Sequence, residues 1–138
     1  MAPRHLIDAH AHFHWSGSRH DFARYNASRL RAGEAMGIRF HVASILGTWG
    51  RSSPTYFASP ADVGAGNDAM YNIAEQEPTR VRAFVHVNPN HTAHALQEIA
   101  RGVERGAIGV KLSASRRADD ALVDVIADEA GQIGRAHV

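Results

Sequence analysis

The sequence contains no cysteine, and only one of its 15 basic residues is a lysine. Without thiols there is no disulfide, no thiolate metal site and no cysteine nucleophile, so His, Asp, Glu or a modified Lys would have to hold any metal. Basic and acidic residues nearly balance, at 15 against 14. Because no run of like charge marks a surface for a phosphate backbone, we expect no nucleic-acid partner.

Long apolar runs are also missing. The first residues, Met-Ala-Pro-Arg-His-Leu-Ile-Asp, lack the apolar core of a signal peptide, and no later stretch reaches the roughly 18 apolar residues of a membrane span. We therefore expect a cytoplasmic protein with no membrane partner. A chain of 138 residues with 44% hydrophobic and 21% charged residues suits one soluble domain.

Short apolar runs alternate with helix-like stretches, which is typical of βα units around a parallel sheet. Strands are predicted at 5–11, 39–46, 81–88 and 108–112, with the start of a fifth at 134–138. Helices are predicted at 21–36, 67–76, 92–105 and 119–131, after a loop at 47–66. A (β/α)₈ barrel of about 250 residues uses about 31 per unit. The α/β chain therefore reads as the N-terminal half of a TIM barrel, a single incomplete domain over 1–138.

Two faces alternate along the predicted strands. In the first strand Ile7 and Ala9 point one way, whereas Asp8, His10 and His12 point the other. A doubly wound open sheet gives the same local pattern. Polar faces near the carboxyl ends of strands favour the barrel, because barrel active sites lie there.

The strongest local motif is Ile7-Asp8-Ala9-His10-Ala11-His12, a strand that ends in His-x-His. Residues two apart on a strand share a face, so both imidazoles can converge on one ion at the barrel mouth. A chance pair of surface histidines is the alternative interpretation. The position of the motif on the first of several βα units favours a metal site.

This motif resembles the first-strand signature of the amidohydrolase superfamily, in particular its mononuclear branch of hydrolases and decarboxylases. Residues 84–89 and 106–112 are similar to third- and fourth-strand elements of that family. The resemblance implies one divalent ion, most often zinc, held by His10 and His12. In the family, further ligands come from the fifth, sixth and eighth strands, which would lie beyond Val138.

The function that the resemblance implies is hydrolysis of an amide, lactone or ester bond of a small molecule by metal-activated water. Non-oxidative decarboxylation of a small carboxylic acid is the alternative, and a split or truncated half barrel without catalysis is another. The family's general base, an aspartate of the eighth strand, would also lie beyond Val138. No catalytic residue is therefore named. We expect residues 1–138 alone to be inactive and to aggregate or form a symmetric dimer, so a homo-oligomer is possible.

Several other side chains are candidates for the site. Lys111 is either a carboxylated bridge between two metals, as in binuclear family members, or an unmodified amine that binds a substrate carboxylate or a neighbouring acid, and we favour the second. His86 either contacts substrate or is a core histidine, and Trp15 is a candidate substrate contact. Asp8 is expected to orient an imidazole from behind. Further pocket-wall candidates are His14, Trp49, Arg51 and Tyr56; His91 and His94 are expected on the surface, and His137 is not assigned.

Overall fold

The computed structural model describes residues 6–14, 22–46 and 58–136. Four parallel strands form one sheet in chain order: β1 (Leu6–His12), β2 (Ile38–Ser44), β3 (Val81–Val87) and β4 (Gly109–Leu112). The helices are α1 (Phe22–Ala35), α2 (Pro60–Gln76), α3 (Thr92–Glu104) and α4 (Ala121–Ala136), with a 3₁₀ turn at Pro89–His91. None of these helices is long and apolar enough to cross a membrane.

The predicted order of strands and helices is confirmed, but α2 begins earlier than expected. It starts at Pro60 rather than at Asn67, and Ser59 caps it by accepting a hydrogen bond from the backbone N–H of Asp62 at 3.3 Å. Gly64 and Gly66 suggested a loop because each lowers helix propensity by about 1 kcal/mol. The Ser-Pro start and the complete burial of Val63 outweigh that cost.

The predicted fifth strand is wrong over 134–136, because these residues continue α4 to Ala136. The prediction placed the helix end at Gly131. A glycine inside a helix is tolerated, and α4 as a whole presents an apolar side that buries Ile126. Residues 137 and 138 lie outside the described residues.

One face of the sheet carries the core. Side chains of β1 to β3 on this face pack against α1 and α2 in one cluster, and those of β3 pack against α3 and α4 in another. The fully buried strand residues of β3 are Val81, Ala83, Val85 and Val87. A doubly wound sheet has helices on both faces and a reversal in strand order. Helices on one face and the order β1-β2-β3-β4 instead match half of a barrel.

The opposite face is the inner face of the half barrel. Phe84 of β3 lies beside Gly109 of β4, where a Cβ would approach the phenyl ring to 2.6 Å. The next pair in register is His86 and Lys111. The inner face is therefore filled by the Phe84 ring at the first of these pairs. It is polar at the pair of His86 and Lys111, which lies closer to the carboxyl ends of the strands.

A buried asparagine bridges the place where β2 and β3 separate. The ladder between these strands spans residues 41–43 and 81–83 only. Beyond it, the side chain of Asn67 accepts from the backbone N–H of His86 at 2.9 Å and donates to its carbonyl at 2.9 Å. Asn67 also donates to Glu98 at 2.7 Å, and Glu98 accepts two hydrogen bonds from Arg101. The Asn67 amide thus replaces a neighbouring strand at His86.

We predict that Asn67→Leu lowers the free energy of unfolding by about 2–4 kcal/mol, because two buried backbone groups of His86 lose their partner. Asn72→Leu is the matched control. Asn72 is an exposed residue of the same helix, and its side chain lies 3.4 Å from the Arg105 guanidinium. Asn72→Leu should therefore change the free energy of unfolding by no more than about 0.5 kcal/mol. Urea unfolding at one protein concentration measures both. Equal losses in the two variants would contradict the bridging role.

Candidate metal centre

A bulge in β1 sets the direction of the histidine pair. Asp8 is in register with His41 and Ala11 with Ala43, so three steps along β1 face two along β2. Within the bulge the backbone N–H of His10 donates to the Asp8 carboxylate at 3.1 Å. Bulges commonly re-aim side chains beside functional sites. Here the bulge breaks the strict alternation that the sequence suggested.

His10 and His12 converge as expected from the motif. Their Nε2 atoms lie 2.9 Å apart, and the rings are tilted by 58°. Two imidazole ligands of a tetrahedral zinc, with Zn–N bonds of about 2.0–2.1 Å, have nitrogens about 3.3 Å apart. Burial, followed by the charges of Lys111 and His10, lowers the pKa of His12. His12 is therefore held in the neutral form that binds metals.

Lys111 lies directly beside this pair. Its Nζ is 2.7 Å from Nε2 of His10 and can donate to the lone pair that would bind a metal. The Lys111 amine therefore competes with a metal cation for Nε2 of His10. The structure thus brings together three of the residues singled out from the sequence.

His86 is buried on the inner face next to Lys111. Its Nε2 lies 2.7 Å from Oγ of Ser113, and its side chain is almost fully buried. Burial, together with the charges of Lys111 and His12, lowers the pKa of His86 to about 4, so the imidazole is neutral near pH 7. Such a group is too weak a base to take a proton from water, but it can hydrogen-bond.

Ser113 was not predicted as a site residue. It follows β4 directly, and its backbone N–H extends the ladder by donating to the carbonyl of Val87 at 2.8 Å. The sequence offered one signal for Ser113, its position two residues after Lys111, because residues two apart in an extended strand share a face.

Asp8 does not take the position expected for it. Besides the N–H of His10, its carboxylate lies 3.3 Å from Nδ1 of His41, a buried ring. That ring fills the space above Gly33 of α1, where a Cβ would approach it to 2.4 Å. Because of the bulge, Asp8 faces His41 rather than the imidazoles of the pair. It acts on His10 through the backbone.

Asn88, also unforeseen, ties together the loops at the carboxyl ends of the strands. Its buried side chain donates to the carbonyl of Ala58 at 2.9 Å and accepts from the hydroxyl of Ser115 at 2.9 Å. It also accepts from the N–H of Asn90 at 3.1 Å. The start of α2 and the exits of β3 and β4 are therefore joined around the same mouth.

The remaining candidates are less central. Trp15, Trp49, Arg51, Tyr56 and His137 lie outside the described residues. His14 is tied to α1, since its backbone N–H and carbonyl both bond to the Asn26 amide at 3.0 Å. His91 is exposed, and half-buried His94 lies 3.9 Å from Glu98, one turn further along α3.

Within residues 6–14, 22–46 and 58–136, no group of three or more His, Asp or Glu residues is arranged to hold a metal. The centre provides two imidazole nitrogens, whereas a catalytic zinc commonly has three protein ligands. The donor set therefore fits part of a divalent metal site.

No protein-family model matches the sequence, and no curated protein matches it. Solved structures do. The 5-carboxyvanillate decarboxylase of Novosphingobium aromaticivorans, determined with manganese and a nitrobenzoic acid, matches with TM-score 0.70 and 14% identity over 94% of this chain and 49% of that chain. A dihydroxybenzoic acid decarboxylase from Polaromonas sp. JS666, determined with manganese and 2-nitroresorcinol, matches with TM-score 0.62 and 16% identity over 96% and 47%.

A third structure, described as amidohydrolase II, matches with TM-score 0.63 and 18% identity over 89% of this chain and 46% of that chain. The chain thus spans about half the length of each of these three structures. At such low identity the likeness concerns the fold. It confirms the predicted N-terminal half of a barrel.

We predict that His10→Ala/His12→Ala removes most of the divalent metal that the purified chain binds, because both nitrogens of the described centre are lost. His94→Ala, which removes a half-buried histidine of α3, should leave metal content unchanged. Elemental analysis after dialysis against zinc or manganese provides the comparison. Unchanged metal in the double variant would show that the histidine pair is not a metal site.

Proposed function

We propose that the chain belongs to the amidohydrolase superfamily and forms the first four βα units of a metal-dependent hydrolase acting on an amide, lactone or ester bond of a small molecule. The observation that carries this proposal is the convergence of the Nε2 atoms of His10 and His12 at 2.9 Å, at the carboxyl end of the first strand. In barrel enzymes that end of the sheet holds the active site.

His10 and His12 would hold one divalent ion, for which zinc is our first expectation because imidazole nitrogen suits it. When bound, such an ion lowers the pKa of a coordinated water to near 7 and polarises a substrate carbonyl. The manganese in two similar structures supports a divalent ion. Asp8 would position His10 by fixing the bulge, because its carboxylate accepts from the His10 N–H.

The neighbouring residues would bind the substrate. The Lys111 amine, released from His10 when a metal binds, would attract a carboxylate or carbonyl oxygen. Neutral His86, paired with the hydroxyl of Ser113 at 2.7 Å, would offer a hydrogen bond without adding charge. We propose no general base among them, since the lowered pKa of His86 makes it a weak base.

A second candidate function is decarboxylation of a small carboxylic acid. Two of the similar structures are decarboxylases of hydroxylated aromatic acids. In that reaction the bond from the ring to the carboxylate breaks, carbon dioxide leaves, and the ring carbon takes a proton. Lys111 would then bind the carboxylate or phenolate oxygen of the substrate.

Cobalt(II) loaded into the chain distinguishes these functions by visible absorption. A hydrolytic site should show a spectrum that changes with pH through the near-neutral range, as bound water loses a proton. A decarboxylase site should respond instead to added 2,6-dihydroxybenzoate. The spectrum should be absent in His10→Ala/His12→Ala. A wild-type chain with no cobalt spectrum would contradict both functions.

We predict that Lys111→Met raises the affinity for zinc about tenfold, because the amine no longer donates to Nε2 of His10. Lys111→Arg keeps the positive charge and the donors and should bind zinc about as the wild type does. Metal titration by calorimetry, with and without bicarbonate, gives both values. Loss of metal in Lys111→Met, or two bicarbonate-dependent metals per chain, would show instead that Lys111 is a carboxylated bridge.

A further inference from the structure

His86 and Ser113 form a hydrogen-bonded pair at the carboxyl ends of β3 and β4. Nε2 of His86 lies 2.7 Å from Oγ of Ser113. Ser113 is held in place by its own backbone N–H, which donates to the carbonyl of Val87 at 2.8 Å and continues the pairing of β4 with β3. The two side chains differ in exposure, since His86 is 1% exposed and Ser113 is half-buried. Of the two, Ser113 is the one that a molecule entering the mouth can reach.

The second ring nitrogen of His86 is closed off from solvent. Nδ1 is buried and has no hydrogen-bond partner among residues 6–14, 22–46 and 58–136. A neutral imidazole carries one N–H, either at Nδ1 or at Nε2. At Nδ1 it would be a buried donor without an acceptor in the described part of the chain, an arrangement that is rare and costly in folded proteins. At Nε2 it has an acceptor in Oγ of Ser113.

We propose that His86 donates its Nε2 proton to Ser113, and that the Ser113 hydroxyl in turn donates to an oxygen of a small molecule bound beside Lys111. A hydroxyl can accept one hydrogen bond while it donates another. Because the imidazole N–H fills an acceptor position of Oγ, the hydroxyl proton is left for a further partner. Hydrogen bonds in a chain polarise one another, so the pair is a stronger donor than a lone serine. Ser113 is thus a specificity-determining residue, and His86 is a positioning residue that acts through it.

The charge beside this hydroxyl decides which oxygen suits it. Lys111 is in register with His86 and stands two residues before Ser113, so the ammonium and the hydroxyl belong to the same face of β4. An ammonium has three N–H donors, and that of Lys111 uses one of them toward Nε2 of His10 at 2.7 Å. A cation and a neutral donor side by side favour an anionic oxygen, such as that of a carboxylate. That this carboxylate belongs to the substrate rests on the function proposed above.

The reverse arrangement would have the Ser113 hydroxyl donate to Nε2, as a serine nucleophile does to its base. His86 would then have to take the serine proton during attack. Burial, together with the charges of Lys111 and His12, lowers the pKa of His86 to about 4, which makes it a poor proton acceptor near neutral pH. The reverse arrangement would also place the ring proton on the closed Nδ1. Geometry and charge therefore favour Ser113 as a donor over Ser113 as a nucleophile.

The first test reads the tautomer of His86 from the nitrogen chemical shifts of its ring, in the metal-free chain near neutral pH. The ring signals are assigned through bonds from the His86 backbone, in solution or in sedimented protein. We expect a pyrrole-type signal for Nε2, which carries the proton, and a pyridine-type signal for Nδ1. A pyridine-type Nε2, or signals averaged between the two types, would overturn the proposal, because the Ser113 hydroxyl would then donate to the ring.

The second test measures the affinity of the metal-free chain for benzoate, a simple carboxylate, by NMR titration of the ligand signals. Ser113→Ala should weaken benzoate binding about tenfold, because a hydrogen bond to a charged oxygen is lost. Ser113→Thr keeps a hydroxyl on a residue type that suits an extended strand, and it should bind benzoate within about twofold of the wild type. An unchanged affinity in Ser113→Ala, or no benzoate binding by the wild type, would overturn Ser113 as the donor.

Ser115→Ala is the matched control for the benzoate titration. Ser115 lies two residues beyond Ser113, and its hydroxyl already donates to Oδ1 of Asn88 at 2.9 Å, so its removal should leave benzoate affinity unchanged. Equal losses in Ser113→Ala and Ser115→Ala would overturn the proposal, because they would show a displaced loop rather than a lost donor. Both tests use the metal-free chain, so failure of the metal centre would overturn the proposed function and leave these two results as they are.

Discussion

The arrangement of the His10 and His12 pair depends on one hydrogen bond, from the backbone N–H of His10 to the carboxylate of Asp8. The N–H lies in a bulge, where the ladder to β2 slips by one residue. Without the Asp8 carboxylate, this N–H would be a backbone donor without a partner. Regular pairing with β2 would then be favoured over the bulge, and it would restore the strict alternation of side chains along β1. The Asp8 carboxylate is itself placed by the buried His41 ring. The close approach of that ring to α1 requires glycine at position 33.

The second constraint is the support of β3 beyond its ladder with β2. A strand that supplies a buried site residue needs its backbone satisfied on both sides, and at His86 one side is satisfied by Asn67 rather than by a strand. Glu98 and Arg101 fix the amide in turn, and the Glu98 carboxylate raises the pKa of the Arg101 guanidinium further. His86 is thereby held in a buried position, where burial and the charges of Lys111 and His12 lower its pKa and keep it neutral.

The order of the elements and the histidine pair could be predicted from sequence because both follow from periodicity. Apolar runs identified the four strands, and Gly37 and Gly106 marked helix ends, where both adopt positive φ. The bulge could not be predicted, since it depends on the slip between β1 and β2, which no local pattern encodes. Asn67 was assigned correctly to a helix, but its role arises from the separation of two strands in space. The helical ending of α4 was missed because glycine was given too much weight.

The four-strand half barrel leaves both the burial of its edges and the ligand set of the candidate metal site incomplete. The half barrel leaves apolar side chains of β1 and β4 in water, and the candidate centre offers two converging imidazoles, those of His10 and His12, where a catalytic metal commonly has three protein ligands. Lys111 occupies the remaining side of His10, so a positive charge already lies where a metal would bind. A metal must therefore displace that amine, and two ligands gain little from doing so. Additional ligands on strands that cover the open edges would strengthen binding. Burial of the edges and occupation of the centre should therefore be coupled, and each should strengthen the other.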